Sequence, residues 1–220
     1  MNEDLLWEMI DGRRRRTADL LEGLTDEEWN RPTLCDGWTV RHVAAHLTLQ
    51  QQGVGDALAT LLRHPAVMRR PTLNGLIHNS AIMQSRLPRQ EITARIRAMI
   101  GSRRHNVGVT PRDTHTDIVL HGQDIALPLG KELPLDPAEA AVAADRLWQT
   151  RPTRLSVVYR KLPLDGHRLV ADDVDWQVGD GSEVRGPIMA LLLTLGGRTA
   201  LVHELHGSGA DALRASTSPP

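Results

Sequence analysis

The sequence predicts an α+β protein, with an antiparallel four-helix bundle at the N-terminus followed by a small α/β C-terminal domain. Three observations predict it. Apolar residues recur at helical spacing through the first two thirds of the 220 residues. From about residue 151 the pattern changes to short β-branched or alternating runs set off by glycine turns. The composition, 40% hydrophobic and 24% charged, is that of a globular chain and excludes wholesale disorder.

The elements follow in order. Leu5, Leu6, Met9, Ile10, Ala18, Leu20, Leu21 and Leu24 predict a helix over about 3 to 23. Arg13 to Arg16 spread around it and read as a solvated face with aliphatic stems over the core. After a break at Gly23 and Asn30-Arg-Pro-Thr, Asp36 or Thr39 can cap a second helix with the stripe Val40, Val43, Ala44 and Leu47. It is expected to run to about Arg63, where His64-Pro65 closes it. A third helical zone covers about 73 to 104, nicked at Pro88. A fourth follows Pro111-Arg-Asp-Thr, carries Asp117 to Leu127, and stops at Pro128 and Gly130. Short connections between four such helices favour an antiparallel bundle.

Asp136 then caps a helix with Pro137 in its first turn, running to about Trp148. Strands are expected at Leu155 to Leu164, His167 to Ala171 and Val174 to Val178, with turns at Asp165-Gly166 and Gly179-Asp-Gly181. A short helix from Pro187 to Leu195 ends at Gly196-Gly197, and a helical piece spans about Thr199 to Leu205. The division expected is a bundle over 1–150, a small domain over 151–215 and a frayed tail over 216–220.

Composition narrows the function. Lys plus Arg (26) against Asp plus Glu (27) leaves a net charge of -1, without the basic excess of a nucleic-acid binder. Cys35 is the single cysteine, which excludes an internal disulfide framework or a cysteine-cluster zinc site and suits a reducing compartment. The longest apolar run, Ile188 to Leu195, falls far short of the ~20 residues of a membrane span. No signal-peptide run follows the acidic start, so a cytoplasmic protein is expected, with no membrane or nucleic-acid partner and as a monomer or homodimer.

Among the ten histidines, spacing selects a few. Asp117, His121 and Asp124 stand at i, i+4 and i+7 on an otherwise apolar helix. A carboxylate and an imidazole so placed can close on one divalent ion at ~2.0–2.2 Å. An ordinary ion pair on a solvated face is the competing account, with Asp124 a residue of the last turn. The second helix offers His42 and His46, of which His46 sits in the apolar register. His46, Asp117 and His121 together would leave an open position for water or substrate, the mark of a catalytic metal site. A satisfied core histidine is the alternative for His46. His78, His105 and His115 are outsiders to this set, and His203 with His206 suits a surface. Cys35 lacks the electropositive surroundings of a reactive thiol, apart from its place just before a helix. The glycine pairs near the C-terminus do not form a phosphate loop.

Three segments carry a family resemblance. Residues 34–47 (LCDGWTVRHVAAHL) and 117–126 (DIVLHGQDIA) resemble the two signatures of the mycothiol-dependent maleylpyruvate isomerase family, and 175–187 with 190–198 resemble its C-terminal domain. The resemblance implies a DinB-like metal-binding bundle with a small C-terminal domain. It also implies a metal site at His46, Asp117 and His121, with Asp117 standing where the family has a glutamate. The shorter side chain must then reach the ion from a closer backbone or through water. It implies a divalent metal, zinc foremost, with mycothiol as co-substrate. The metal would activate the thiol toward a small electrophile in a cleft between the two domains. Asp124 would orient a ligand, and Arg198 would bind an anionic group of the substrate or thiol. The expected activity is thus a metal- and thiol-dependent isomerase or transferase. A non-catalytic ligand-binding bundle and a hydrolase using metal-bound water are the alternatives.

Overall fold

The computed structural model describes residues 2–53, 72–106, 108–153 and 162–217. Among them lie eight α-helices and one three-stranded sheet, the α+β class expected. The chain divides into two compact units, Met1–Leu133 and Pro134–Pro220. None of the helices described is long and apolar enough to cross a membrane.

In the first unit, helix α1 (Glu3–Glu22) starts at Asn2, whose side chain accepts from the Asp4 N–H at 3.1 Å. The arginine run departs from expectation. Arg15 and Arg16 are exposed, but Arg13 and Arg14 are buried at 2% and 0% exposure. Successive helical residues are about 100° apart, so two of the four face inward. The Arg14 guanidinium donates to the carbonyls of Met99 at 2.8 Å and Ser102 at 3.1 Å and pairs with Asp11 at 3.2 Å. These carbonyls lie just past a helix end, where backbone acceptors lack helical partners.

Helix α2 (Val40–Leu47) is capped by Thr39 rather than Asp36, and the Thr39 N–H donates to His42 Nδ1 at 3.2 Å. It ends at Leu47 and turns follow, so it does not run on toward Arg63 as one helix; residues 54–71 lie outside those described. The third zone is two helices, α3 (Leu73–Gln84) and α4 (Arg89–Ala98), parted at Pro88, which stands at the N-cap of the second. Helix α5 (Pro111–Ala126) has Pro111 in its first turn. Its capping box has the Thr110 N–H donating to Asp113 Oδ2 at 2.7 Å. Helix α5 packs on α1 and α2, α1 also on α4, and α2 also on α3 and α4. Ala18, Leu21, Trp29, Val43, Ile96 and Ile118 belong to the shared core. Each large apolar side chain buried there contributes roughly 1.5–3 kcal/mol.

In the second unit, helix α6 (Pro137–Thr150) begins at Asp136, whose Oδ1 accepts from the Ala138 N–H at 2.8 Å. It packs on α7 (Ile188–Leu195). The boundary at Leu133/Pro134 therefore differs from the one expected near 150. The apolar face of α6 is covered by a helix some 40 residues onward, and no periodicity within α6 could have shown that. Three strands, β1 (His167–Ala171), β2 (Gln177–Gly179) and β3 (Ser182–Gly186), make a sheet in the order β2-β1-β3. Strand β1 is antiparallel to β2 and parallel to β3. The chain crosses from one edge to the other in two residues, Asp180 and Gly181. A Cβ on Gly181 would lie 2.1 Å from the Gly166 carbonyl oxygen, and its φ of +114° favours glycine.

Other expectations need correction. The strand expected over Leu155 to Leu164 falls mostly outside the described residues, and 162–164 form no strand. The helix expected around Thr199 to Leu205 is a single 3-10 turn, Val202–Glu204. The expected tail begins inside a further helix, α8 (Ala210–Thr217).

Candidate metal centre

One face of α5 carries the site. The helical repeat puts Asp117, His121 and Asp124 side by side, and α2, packed against α5, brings in His46 from its last turn. Asp117 Oδ1 lies 3.4 Å from Nε2 of His46 and 3.4 Å from Nε2 of His121. On its far side His121 donates from Nδ1 to Asp124 Oδ2 at 2.8 Å, and Asp124 is fully buried. That bond holds the tautomer with a lone pair on Nε2.

The residues fit a divalent ion. The donor atoms of His46, Asp117 and His121 all lie within 4.8 Å of one another. Bonds of ~2.0–2.2 Å set neighbouring ligands on a tetrahedral ion roughly 3.4 Å apart, close to the spacing found here. Two imidazoles and one carboxylate suit zinc and similar borderline ions. Asp117, at 28% the most exposed of the three side chains, marks the open side.

The electrostatics follow from the same contacts. Burial pushes the Asp117 carboxyl up, but His46 and His121 overcome it and hold it well below the usual carboxylate range. Burial also pushes His121 down, yet Asp117 and Asp124 raise it to about 9. A metal ion taken up in this pocket would therefore have to displace a proton.

Three residues join the site that spacing did not single out. Gln50 donates from Nε2 to Asp117 Oδ2 at 2.7 Å. Trp38 stacks on His121 with centroids 6.3 Å apart and meets His46 edge-on at 5.4 Å. Cys35 Sγ falls within 4.8 Å of donor atoms of both His121 and Asp124. Only Gln50 had a local signal, standing four residues after His46, and that signal fails because α2 ends at Leu47.

Among the described residues, the other candidate histidines have different surroundings. His42 belongs to the α2 cap, and burial, His78 and Arg41 all lower its pKa, which keeps the ring neutral and able to accept. His78 Nδ1 accepts from Trp38 Nε1 at 3.0 Å. His105 stacks on Trp7, His115 is buried in α5, and His203 and His206 are exposed. Arg198 belongs to the second unit, where it is 8% exposed and its Nη1 donates to the Gly196 carbonyl at 2.5 Å.

Comparison with known proteins shows what the chain resembles. The family model described as mycothiol maleylpyruvate isomerase N-terminal domain matches residues 11–117. No curated protein matches the chain. The crystal structure of the mycothiol-dependent maleylpyruvate isomerase shares its fold at a TM-score of 0.59 and 12% identity, over 100% of this chain and 95% of that one. A variant of that isomerase with one histidine replaced by alanine matches with the same figures. Residues 11–117 thus match the model of the mycothiol maleylpyruvate isomerase N-terminal domain family, and the chain has the fold of the solved isomerase.

Proposed function

We propose that this protein is a metal-dependent enzyme that uses a low-molecular-weight thiol, mycothiol, to isomerise a small electrophile or to add to it. The carrying observation is the convergence of His46, Asp117 and His121, with Asp124 behind His121 and the Asp117 side open. The family match and the isomerase fold support the thiol and the isomerase class.

The chain's residues divide the work. His46 and His121 present their Nε2 atoms and Asp117 presents Oδ1, while Gln50 holds the other carboxylate oxygen. Asp124 keeps the His121 proton on Nδ1. Trp38 covers both imidazoles and excludes water from that side. A divalent ion held there, zinc by its donor set, would stabilise a co-substrate sulfur as the thiolate that attacks an electrophilic carbon. A thiol of pKa ~8.5 is mostly protonated at pH 7, and lowering it by ~2 units takes ~2.7 kcal/mol.

Elemental analysis of the purified chain is expected to find about one divalent ion, which His121→Ala loses while keeping its helical circular dichroism. Conversion of maleylpyruvate should need both the ion and the thiol. A chelated chain that gains no thermal stability from Zn²⁺ overturns the metal site. Turnover without thiol overturns the thiol-dependent mechanism in favour of metal-bound water.

A further inference from the structure

The donor cluster does not end at His121. Its two ring nitrogens diverge, with Nε2 toward Asp117 and Nδ1 toward Asp124. On the Asp124 side stands the only cysteine of the chain. Cys35 Sγ, a ring nitrogen of His121 and a carboxylate oxygen of Asp124 lie within 4.8 Å of one another. The loop bearing Cys35 is pinned there by its backbone. The Leu34 N–H donates to the Asp124 carbonyl at 3.2 Å, the Cys35 N–H to Thr33 Oγ1 at 3.2 Å, and the Trp38 N–H to the Cys35 carbonyl at 3.0 Å.

We infer that Cys35, His121 and Asp124 form a second metal site, selective for thiophilic divalent ions and sharing His121 with the first. A thiolate, an imidazole nitrogen and a carboxylate are a donor set that favours zinc, cobalt or cadmium over magnesium or calcium. Neighbouring ligands of such an ion stand roughly 3.4–3.7 Å apart, so the 2.8 Å between His121 Nδ1 and Asp124 Oδ2 would have to open slightly, which side-chain rotation allows. Charge balances as well. Entry of one divalent ion releases the Cys35 thiol proton and the His121 Nδ1 proton to solvent, so the buried pocket keeps its net charge. With the first site filled, His121 would be shared between the two ions as an imidazolate; with it empty, His121 would keep a proton on Nε2, and in either case Asp124 would turn from holding the Nδ1 proton to binding the metal. The site uses His121 from the function proposed above but does not require the first ion to be bound. Its occupation withdraws the group that orients His121, so excess thiophilic ion would disturb the first site.

Titration of the reduced full-length chain with Co²⁺ tests this. Binding is expected to continue past one ion per chain, with a near-ultraviolet thiolate-to-cobalt charge-transfer band growing in the later step. Cys35→Ser should lose the band and the later step while keeping the earlier one. His46→Ala should lose the earlier step and keep the band; an unchanged ion count in that variant counts against the first site alone. The second site is overturned by absence of the band at saturation in a sample whose thiol is shown to be reduced. It is equally overturned by a band that saturates with a single ion and vanishes together with all binding in Cys35→Ser, because the cysteine then belongs to the first site.

Discussion

Gln50 Nε2 lies 2.7 Å from Asp117 Oδ2, and this bond leaves Oδ1 as the oxygen that meets the imidazoles of His46 and His121. An aspartate has little reach, so fixing its rotamer matters more than it would for a glutamate. Gln50→Ala is expected to weaken Zn²⁺ binding by about 10–100-fold, in line with the removal of other partners of metal ligands. Competition against a chromophoric chelator measures this, and an unchanged dissociation constant would show that Gln50 positions nothing.

Asp124 accepts from His121 Nδ1 at 2.8 Å in a fully buried position. Asp124→Asn removes the charge from that contact while nearly preserving its shape. In the metal-free protein the His121 pKa should fall from its raised value near 9, as read from imidazole shifts by NMR. Metal affinity should fall by about 10–100-fold. A His121 pKa that stays put would mean that Asp117 alone raises it.

Stability of the metal-free protein should depend on pH through this same pair. His121 is raised to about 9 in the folded state, so its contribution is fully present below its unfolded value of ~6.5 and lost as pH climbs through about 9. Asp117 is lowered, so its contribution is present above the ordinary aspartate range and lost as the solution is acidified. Thermal melts in chelator should therefore fall between pH 6.5 and 9.5, by an amount on the order of a few kcal/mol at most. With Zn²⁺ present the trend should reverse, because the ion displaces the His121 proton more easily as pH rises. Parallel curves with and without metal would contradict the competition.

Arg14, wholly buried against the carbonyls of Met99 and Ser102, should be far less replaceable than its exposed neighbour Arg15. Arg14→Ala leaves two inward-facing carbonyls without this donor and opens a cavity, for an expected loss of about 3–5 kcal/mol. Arg15→Ala should stay within about 0.5 kcal/mol. Urea denaturation compares them, and equal midpoints would refute the assignment of Arg14 to the core.

Local signals carried much of the fold. Thr110, Pro111 and Asp113 announce the start of α5, Pro88 divides the third helical zone, and Asp136 with Pro137 opens α6. Each works through groups a few residues apart. The same locality misleads where partners are remote. Nothing near Arg13 and Arg14 distinguishes them from Arg15 and Arg16, and nothing within α6 says that its cover is α7. The parallel pairing of β1 with β3 was equally hidden, because it depends on a crossing that only Gly181 beside Gly166 permits.

The candidate site divides along the same line. The sequence by itself determined that Asp117, His121 and Asp124 share a face, since 3.6 residues per turn settle that wherever the helix lies. Only the tertiary structure decided that His46, 71 positions from Asp117, faces the same oxygen, that Gln50 and Trp38 complete the shell, and that Cys35 stands behind it. Those placements come from the packing of α2 and its flanking turns on α5, a contact made by side chains too far apart in the chain for any periodicity to register.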